Sequence, residues 1–229
     1  LRQLVFSYNK QANEDKNEIA MRTELFINSR LEKINTELGA TEGNLEATKR
    51  QYKIVSPEAT GALGYTNTDS YTQKLADMDM QIELLRSLQE YINDPSNKYQ
   101  TLPSNVGLSD AAASTLINDY NKIVMERNRL LRSANENSPT ITPLTAQLDD
   151  LSASIRRAMA QVQRNAKIQR NSILQEYNRY SSMIYSTPEQ ERVLTQIGRQ
   201  QEVKSGLYLM LLQKREENSI SLAATADKG

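Results

Sequence analysis

The sequence contains no histidine, no cysteine and no tryptophan. Without imidazole or thiolate groups, the usual zinc sites, Ser-His-Asp and Cys-His nucleophiles and disulfide scaffolds are excluded. The 28 basic and 28 acidic side chains balance, whereas a nucleic-acid-binding protein normally carries a basic excess. Composition therefore predicts a protein that is not an enzyme, has no metal or other cofactor and has no nucleic-acid partner.

Glycine and proline are scarce as well, with 8 and 6 residues among 229, and this scarcity favours long helices. The longest apolar run covers residues 207–212, whereas a helix that spans a bilayer needs about 20 apolar residues. The sequence opens without a signal-peptide pattern. Because it starts at Leu1 and stops at Gly229, we expect an excised part of a larger membrane protein, with the membrane segments outside it.

Apolar residues recur at helical spacing along most of the chain. Alternating steps of four and three residues define a coiled-coil seam at Ile27, Leu31, Ile34, Leu38, Thr41, Leu45, Thr48 and Tyr52. The pattern predicts an all-α fold, an elongated antiparallel bundle of long coiled-coil-like helices forming a single helical domain over residues 1–229. Its predicted segments are a long helix 1–54, a loop 55–70, a helix 71–93, a loop 94–108, a helix 109–137, a long helix 143–186 and a final helix 188–222.

Turn-forming residues set the predicted boundaries. Gly61, Gly64 and Asn67 indicate a loop, and Ser109 is placed to cap the helix that follows it. Thr142 is placed as an N-cap, with Pro143 at the first helical position, and Thr187-Pro188 repeats this pattern. From the helix lengths we expect the chain to reverse at residues 186–188.

Charge predicts which long helices meet. Residues 12–52 carry eight acidic and six basic side chains, whereas residues 144–186 carry six basic and three acidic ones. Opposite net charges predict contact between the first long helix and the helix 143–186. The basic residues 156–170 have three interpretations: packing against the first helix, solvation, or binding of an acidic polysaccharide.

The remaining groups of polar residues and glycines do not indicate a nucleotide or metal site. The loop at Gly61–Gly64 lacks the Lys-Ser/Thr pair of a phosphate-binding loop. Neighbouring carboxylates at Asp77/Asp79 and Asp149/Asp150 point in different directions on a helix, so they cannot share one metal ion. We expect these carboxylates to lie on solvated faces.

The last segment resembles a known family. Its motif positions are Pro188, Gln190, Glu191, Arg199, Leu207, Tyr208, Leu211, Leu212, Glu216 and Glu217, followed by Gly229. They resemble the segment before the last membrane helix of Wzc-type bacterial polysaccharide co-polymerases, which carry a cytosolic tyrosine autokinase. Around Phe26-Ile27 and Leu38, the opening helix is similar to that family's first periplasmic helix. The resemblance covers both ends of the chain.

The resemblance implies a non-enzymatic scaffold on the periplasmic side of the bacterial inner membrane. Such a scaffold joins a homo-oligomeric ring, works with the polysaccharide polymerase and export machinery, and controls polysaccharide chain length. The resemblance assigns no catalytic residue to this chain, since the kinase motifs are absent from this sequence. Two alternatives stay open: the helical hairpin of a periplasmic adaptor in a secretion or efflux system, and a coiled-coil tether.

Overall fold

The computed structural model describes residues 2–51, 62–184 and 188–226. Five α-helices follow one another along the chain: α1 (Arg2–Gln51), α2 (Ala62–Asn93), α3 (Ala111–Leu131), α4 (Thr142–Ile184) and α5 (Pro188–Ala226). One turn of 3-10 helix, Pro95–Asn97, follows α2, and the described ranges contain no strand. The predicted all-α fold is confirmed. Within the same ranges, no helix is long and apolar enough to cross a membrane.

The seam predicted for the first helix is the face that α1 buries. Ile27 and Ile34 are 0% and 1% exposed, and the seam position Thr41 is buried too, whereas the last position, Tyr52, lies outside the described residues. Most residues between seam positions, such as Glu32 and Asn35, are exposed, although Arg30 is buried. The alternating steps of four and three therefore identified the packed stripe, because they follow one side of a helix.

Contacts between residues divide the chain into two compact units. The first unit takes the described parts of Leu1–Ser29, Leu84–Val162 and Leu211–Gly229, and the second takes those of Arg30–Glu83 and Gln163–Met210. Four helices contribute residues to both units because they are 32 to 50 residues long. Only α3 belongs to the first unit alone.

In the first unit, α1 and α5 run antiparallel. The Asn218 side chain donates to the Ala20 carbonyl at 2.7 Å, and Arg215 donates to the Asn28 side chain at 3.2 Å, so residue numbers fall on α5 as they rise on α1. The Phe26 and Tyr91 rings meet edge to face with centroids 5.8 Å apart, which brings α2 against α1.

In the second unit, ion pairs join α1 to α5 and α2 to α4. Lys204 donates to Glu37 at 2.6 Å, and Arg170 holds Asp79 through two hydrogen bonds. Net charge predicted contact between α1 and α4, so this assignment of partners differs from the prediction. The reason is that net charge averages over all faces of a helix, whereas the few charged residues beside the buried stripe meet the neighbouring helix.

The same unit shows that the chain reverses between α4 and α5. The Arg199 guanidinium lies 5.7 Å from the centroid of the Tyr177 ring. In one straight helix these residues would lie about 33 Å apart, at 1.5 Å per residue. Therefore α5 runs back along α4, as expected from the helix lengths. The turn itself, at residues 185–187, lies outside the described residues.

Four helix boundaries differ from their predictions. The loop predicted for residues 55–70 is too long because α2 begins at Ala62, and the low helix propensity of Gly64 and Asn67 costs only about 1 kcal/mol each. At α3 the N-cap is Asp110, whose carboxylate accepts from the Ala113 N–H at 2.7 Å, not the predicted Ser109. The final helix continues past residue 222 to Ala226.

The helix predicted for residues 109–137 also ends early, at Leu131. The Asn135 side chain accepts from the Asn137 N–H at 3.1 Å, which is a local turn that competes with a helix. The predicted helix ends at residues 54 and 186 lie outside the described residues.

Candidate functional site

All but one of the family-motif positions lie on α5, and the apolar ones serve packing. Leu207 and Leu211 are 2% and 1% exposed, and beside them Tyr208 and Leu212 are half-buried. Glu216 is exposed. The side chains of Pro188, Gln190 and Glu191 lie outside the described part of the chain, as does the whole of Gly229. The two remaining polar positions, Arg199 and Glu217, belong to different units and are described separately.

In the second unit, Arg199 belongs to a charged cluster with Arg170 and Asp79. Burial lowers the pKa of Arg199, and the nearby positive charge of Arg170 lowers it further, against the opposite effects of Tyr177 and Asp79. Asp79 is already held by Arg170. Within the described residues, no hydrogen bond to Arg199 is formed, and its guanidinium is stabilised by the face of Tyr177.

In the first unit, Glu217 belongs to a hydrogen-bonded group that joins α5 to the segment between α2 and α3. Lys214 donates to the Glu217 carboxylate at 3.1 Å and to the Asn105 side chain at 3.4 Å. The Asn105 side chain in turn donates to Glu217 at 3.2 Å. The hydrogen bonds from Lys214 and then Asn105 hold the pKa of Glu217 below its ordinary value. Glu217 and Lys214 therefore neutralise each other here.

The segment between α2 and α3 has an unusual backbone. Tyr99 and Asn105 have φ values of 59° and 56°, and Gly107 has a φ of 95°. Left-handed conformations are uncommon outside glycine, and for a large side chain they persist only when surrounding contacts hold them. For Tyr99 those contacts are a hydrogen bond from its hydroxyl to Asp149 at 2.9 Å and the Arg127 guanidinium 4.6 Å from its ring.

Two side chains from neighbouring helices hold this segment by its backbone. Asn121 of α3 is 1% exposed; its amide accepts from the Leu102 N–H at 2.7 Å and donates to the Leu102 carbonyl at 2.9 Å. The Thr23 hydroxyl of α1 accepts from the Ser104 N–H at 3.0 Å and donates to the Ser104 carbonyl at 3.4 Å. Buried backbone groups need such partners, since an unpaired one costs about 1–3 kcal/mol.

Residues 103–108 of this segment form one wall of a surface cleft, hereafter the α3 cleft. It has a volume of about 330 Å³ and lies between this segment, the start of α3 and Lys214. Its lining combines apolar and polar side chains with the backbone of Gly107: Pro103, Ser104, Asn105, Val106, Leu108, Ser114, Ile117, Asn118 and Lys214. The cleft therefore offers both apolar contact and hydrogen bonds to a small molecule.

The carboxylate pairs singled out from the sequence face different partners. Asp77 accepts from Gln73 on its own helix, whereas Asp79 binds Arg170. In the residues that the structure describes, no group of three or more acidic side chains could hold a metal ion. At both ends of the basic residues 156–170, the arginines bind α2: Arg156 donates to Asn93 at 2.9 Å and Arg170 to Asp79. The other basic side chains of the stretch, Arg157, Arg164 and Lys167, are exposed, which agrees with the solvation interpretation.

Sequence reasoning did not identify Asn121, although a signal for it exists. Asn121 lies among Ile117, Tyr120 and Val124 on the buried stripe of α3. A polar residue on an apolar stripe indicates a buried hydrogen bond, because leaving its amide unpaired would be costly. The role of Asn105 has no such signal, since its partner Glu217 lies 112 residues away in the sequence.

Comparison with known proteins gives no relative for the chain. No family model, curated protein or solved structure matches it.

Proposed function

We propose that the chain is a non-enzymatic scaffold of a Wzc-type polysaccharide co-polymerase, on the periplasmic side of the bacterial inner membrane. In this role it assembles with copies of itself and, with the polymerase and export machinery, sets the length of a capsular polysaccharide or exopolysaccharide. The proposal joins the family resemblance of α5 to one structural observation, the antiparallel pairing of α1 with α5 in the first unit.

That pairing supports the proposal because it places the start of the helical region beside its end. Ala20 of α1 and Asn218 of α5 share a hydrogen bond, although 198 residues separate them in the sequence. A helical region held between two membrane segments on the same side of a membrane requires this arrangement. The motif leucines Leu207 and Leu211 are buried, which agrees with a structural use of the motif.

Exposed apolar side chains near the start of α1 supply a surface for self-assembly. Leu4, Val5 and Tyr8 are 75%, 53% and 76% exposed, and at positions i, i+1 and i+4 of a helix they lie on one side of α1. Large apolar residues clustered on a surface mark contact sites more often than single ones do. We therefore expect the first two turns of α1 to contact a second copy or the adjoining part of the full-length protein.

To test this proposal, the gene is deleted or replaced by mutant forms in a bacterium that makes the polysaccharide, and polymer length is measured on a gel. Leu4→Asp with Tyr8→Asp, made in the full-length protein, should reduce cross-linking between copies and broaden the length distribution. Gln3→Asp with Ser7→Asp is the matched control, because it adds the same charge at equally exposed positions of the same turns. Unchanged polymer length after complete loss of the gene would refute the proposal.

A further inference from the structure

The α3 cleft combines a backbone held by neighbouring helices with the amide group of Asn118. Asn105 and Gly107, two residues apart, both adopt positive φ values and both line it. Asn121 and Thr23 hold the backbone on the approach to the cleft by four hydrogen bonds, at Leu102 and Ser104. A strained segment fixed from outside in this way often shapes a ligand site, because the strain is maintained only by its surroundings.

The polar lining favours a ligand without net charge. The single ammonium group in the lining, Lys214, already pairs with the Glu217 carboxylate, so an added anion would compete with that pair. The Asn118 side chain accepts from the Ser104 hydroxyl at 3.2 Å, and within the described residues its NH₂ group has no hydrogen-bonded partner. The cleft thus presents amide and hydroxyl groups, which match the hydroxyl groups of a polyol.

The apolar lining selects among neutral polyols. Val106 and Ile117 are 3% and 4% exposed and form the floor of the cleft, and the half-buried Leu108 supplies apolar surface beside the polar groups. A pyranose ring has an apolar C–H face and a rim of hydroxyl groups, which such a mixed lining fits. The volume of about 330 Å³ lies at the small end of ligand pockets, which suits one sugar residue.

We infer that the α3 cleft binds one uncharged saccharide residue. The choice of a saccharide among polyols rests on the proposed function, whereas the existence of a binding cleft does not. A ligand of about 12 heavy atoms in a partly open site binds weakly, so we expect a Kd in the millimolar range.

The experiment is an NMR titration of the 229-residue chain with neutral sugars such as glucose, galactose and N-acetylglucosamine, up to about 50 mM. We expect saturable shifts of the amide signals of residues 104–108, 114 and 118 with at least one of them. Asn118→Ala should weaken that binding about five- to tenfold, the usual effect of one lost hydrogen bond. Asn137→Ala, at an exposed asparagine remote from the cleft lining, is the control and should bind like the wild type.

Three outcomes would overturn the inference. The first is an absence of saturable shifts at these residues with every sugar. The second is unchanged binding in Asn118→Ala. The third is a glucuronate that binds more than tenfold more tightly than glucose, because the Lys214 charge would then be available to an anion. The polymer-length test of the proposed function does not depend on these results, so the failure of either idea is distinguishable from the failure of the other.

Discussion

Replacement of Asn121 by alanine should destabilise the first unit more than any surface substitution. The change removes two hydrogen bonds to the Leu102 backbone, at 2.7 and 2.9 Å, from a site where both residues are almost fully buried. Each buried group left unpaired costs about 1–3 kcal/mol, so we expect a loss of about 2–5 kcal/mol in the free energy of unfolding. That loss is a large part of the roughly 5–15 kcal/mol that stabilises a typical domain.

Urea unfolding followed by circular dichroism measures this loss, and hydrogen exchange locates it. The Leu102 amide should be protected in the wild type and should exchange much faster in Asn121→Ala, since its acceptor is gone. Asn137→Ala is the control and should stay within about 0.5 kcal/mol of the wild type. A loss below about 1 kcal/mol, or unchanged exchange at Leu102, would refute the assigned role of the Asn121 amide.

Three further predictions concern helix glycines, pH and ligands. Gly39→Ala should raise stability by about 1 kcal/mol, because an added Cβ meets nothing within 4 Å. Gly206→Ala should raise stability less, because its Cβ would lie 2.8 Å from the Met80 sulfur. Equal gains of the two variants in thermal unfolding would contradict this prediction. Burial raises the pKa of Glu37, but the hydrogen bond and charge of Lys204, with smaller effects of neighbouring cations, hold it below the ordinary value of 4.5. The stability difference between wild type and Glu37→Gln should therefore be complete above about pH 4.5 and disappear as the pH falls through the lowered pKa, which urea unfolding at pH 7 and pH 3 tests. Divalent cations, chelators and ATP should leave the melting temperature unchanged, and a shift of several degrees would reveal a binding site.

The features of the fold that depend on local periodicity could be predicted from the sequence. Ile27, Leu31 and Ile34 form the packed stripe of α1 because a helix places steps of three and four on one side. The start of α2 was missed because Gly64 and Asn67 are poor helix formers only by amounts that a long helix easily offsets. The identity of the partner helices was missed because a few residues such as Lys204 decide it.

The α3 cleft could not be predicted from local sequence patterns, for a different reason. The sequence marked Pro103 and Gly107 as parts of an irregular stretch, which is as far as turn chemistry reaches. The groups that shape the stretch come from Thr23, Asn121 and Lys214 on three different helices. No spacing rule relates residues separated by 81 or 109 positions, so only the folded chain brings them together.

The antiparallel pair of α1 and α5 also fixes an order of events during protein synthesis. In the first unit, Asn93 and Arg156 meet across 63 residues, whereas Ala20 and Asn218 meet across 198. At about 5–20 residues per second, a ribosome needs roughly 10–40 s to make the chain between α1 and its partner. Closing the longer loop also costs about 1 kcal/mol more entropy. Of the five described helices, α1 is thus made first but meets its partner α5 last, so the part of its surface that α5 covers stays exposed until then.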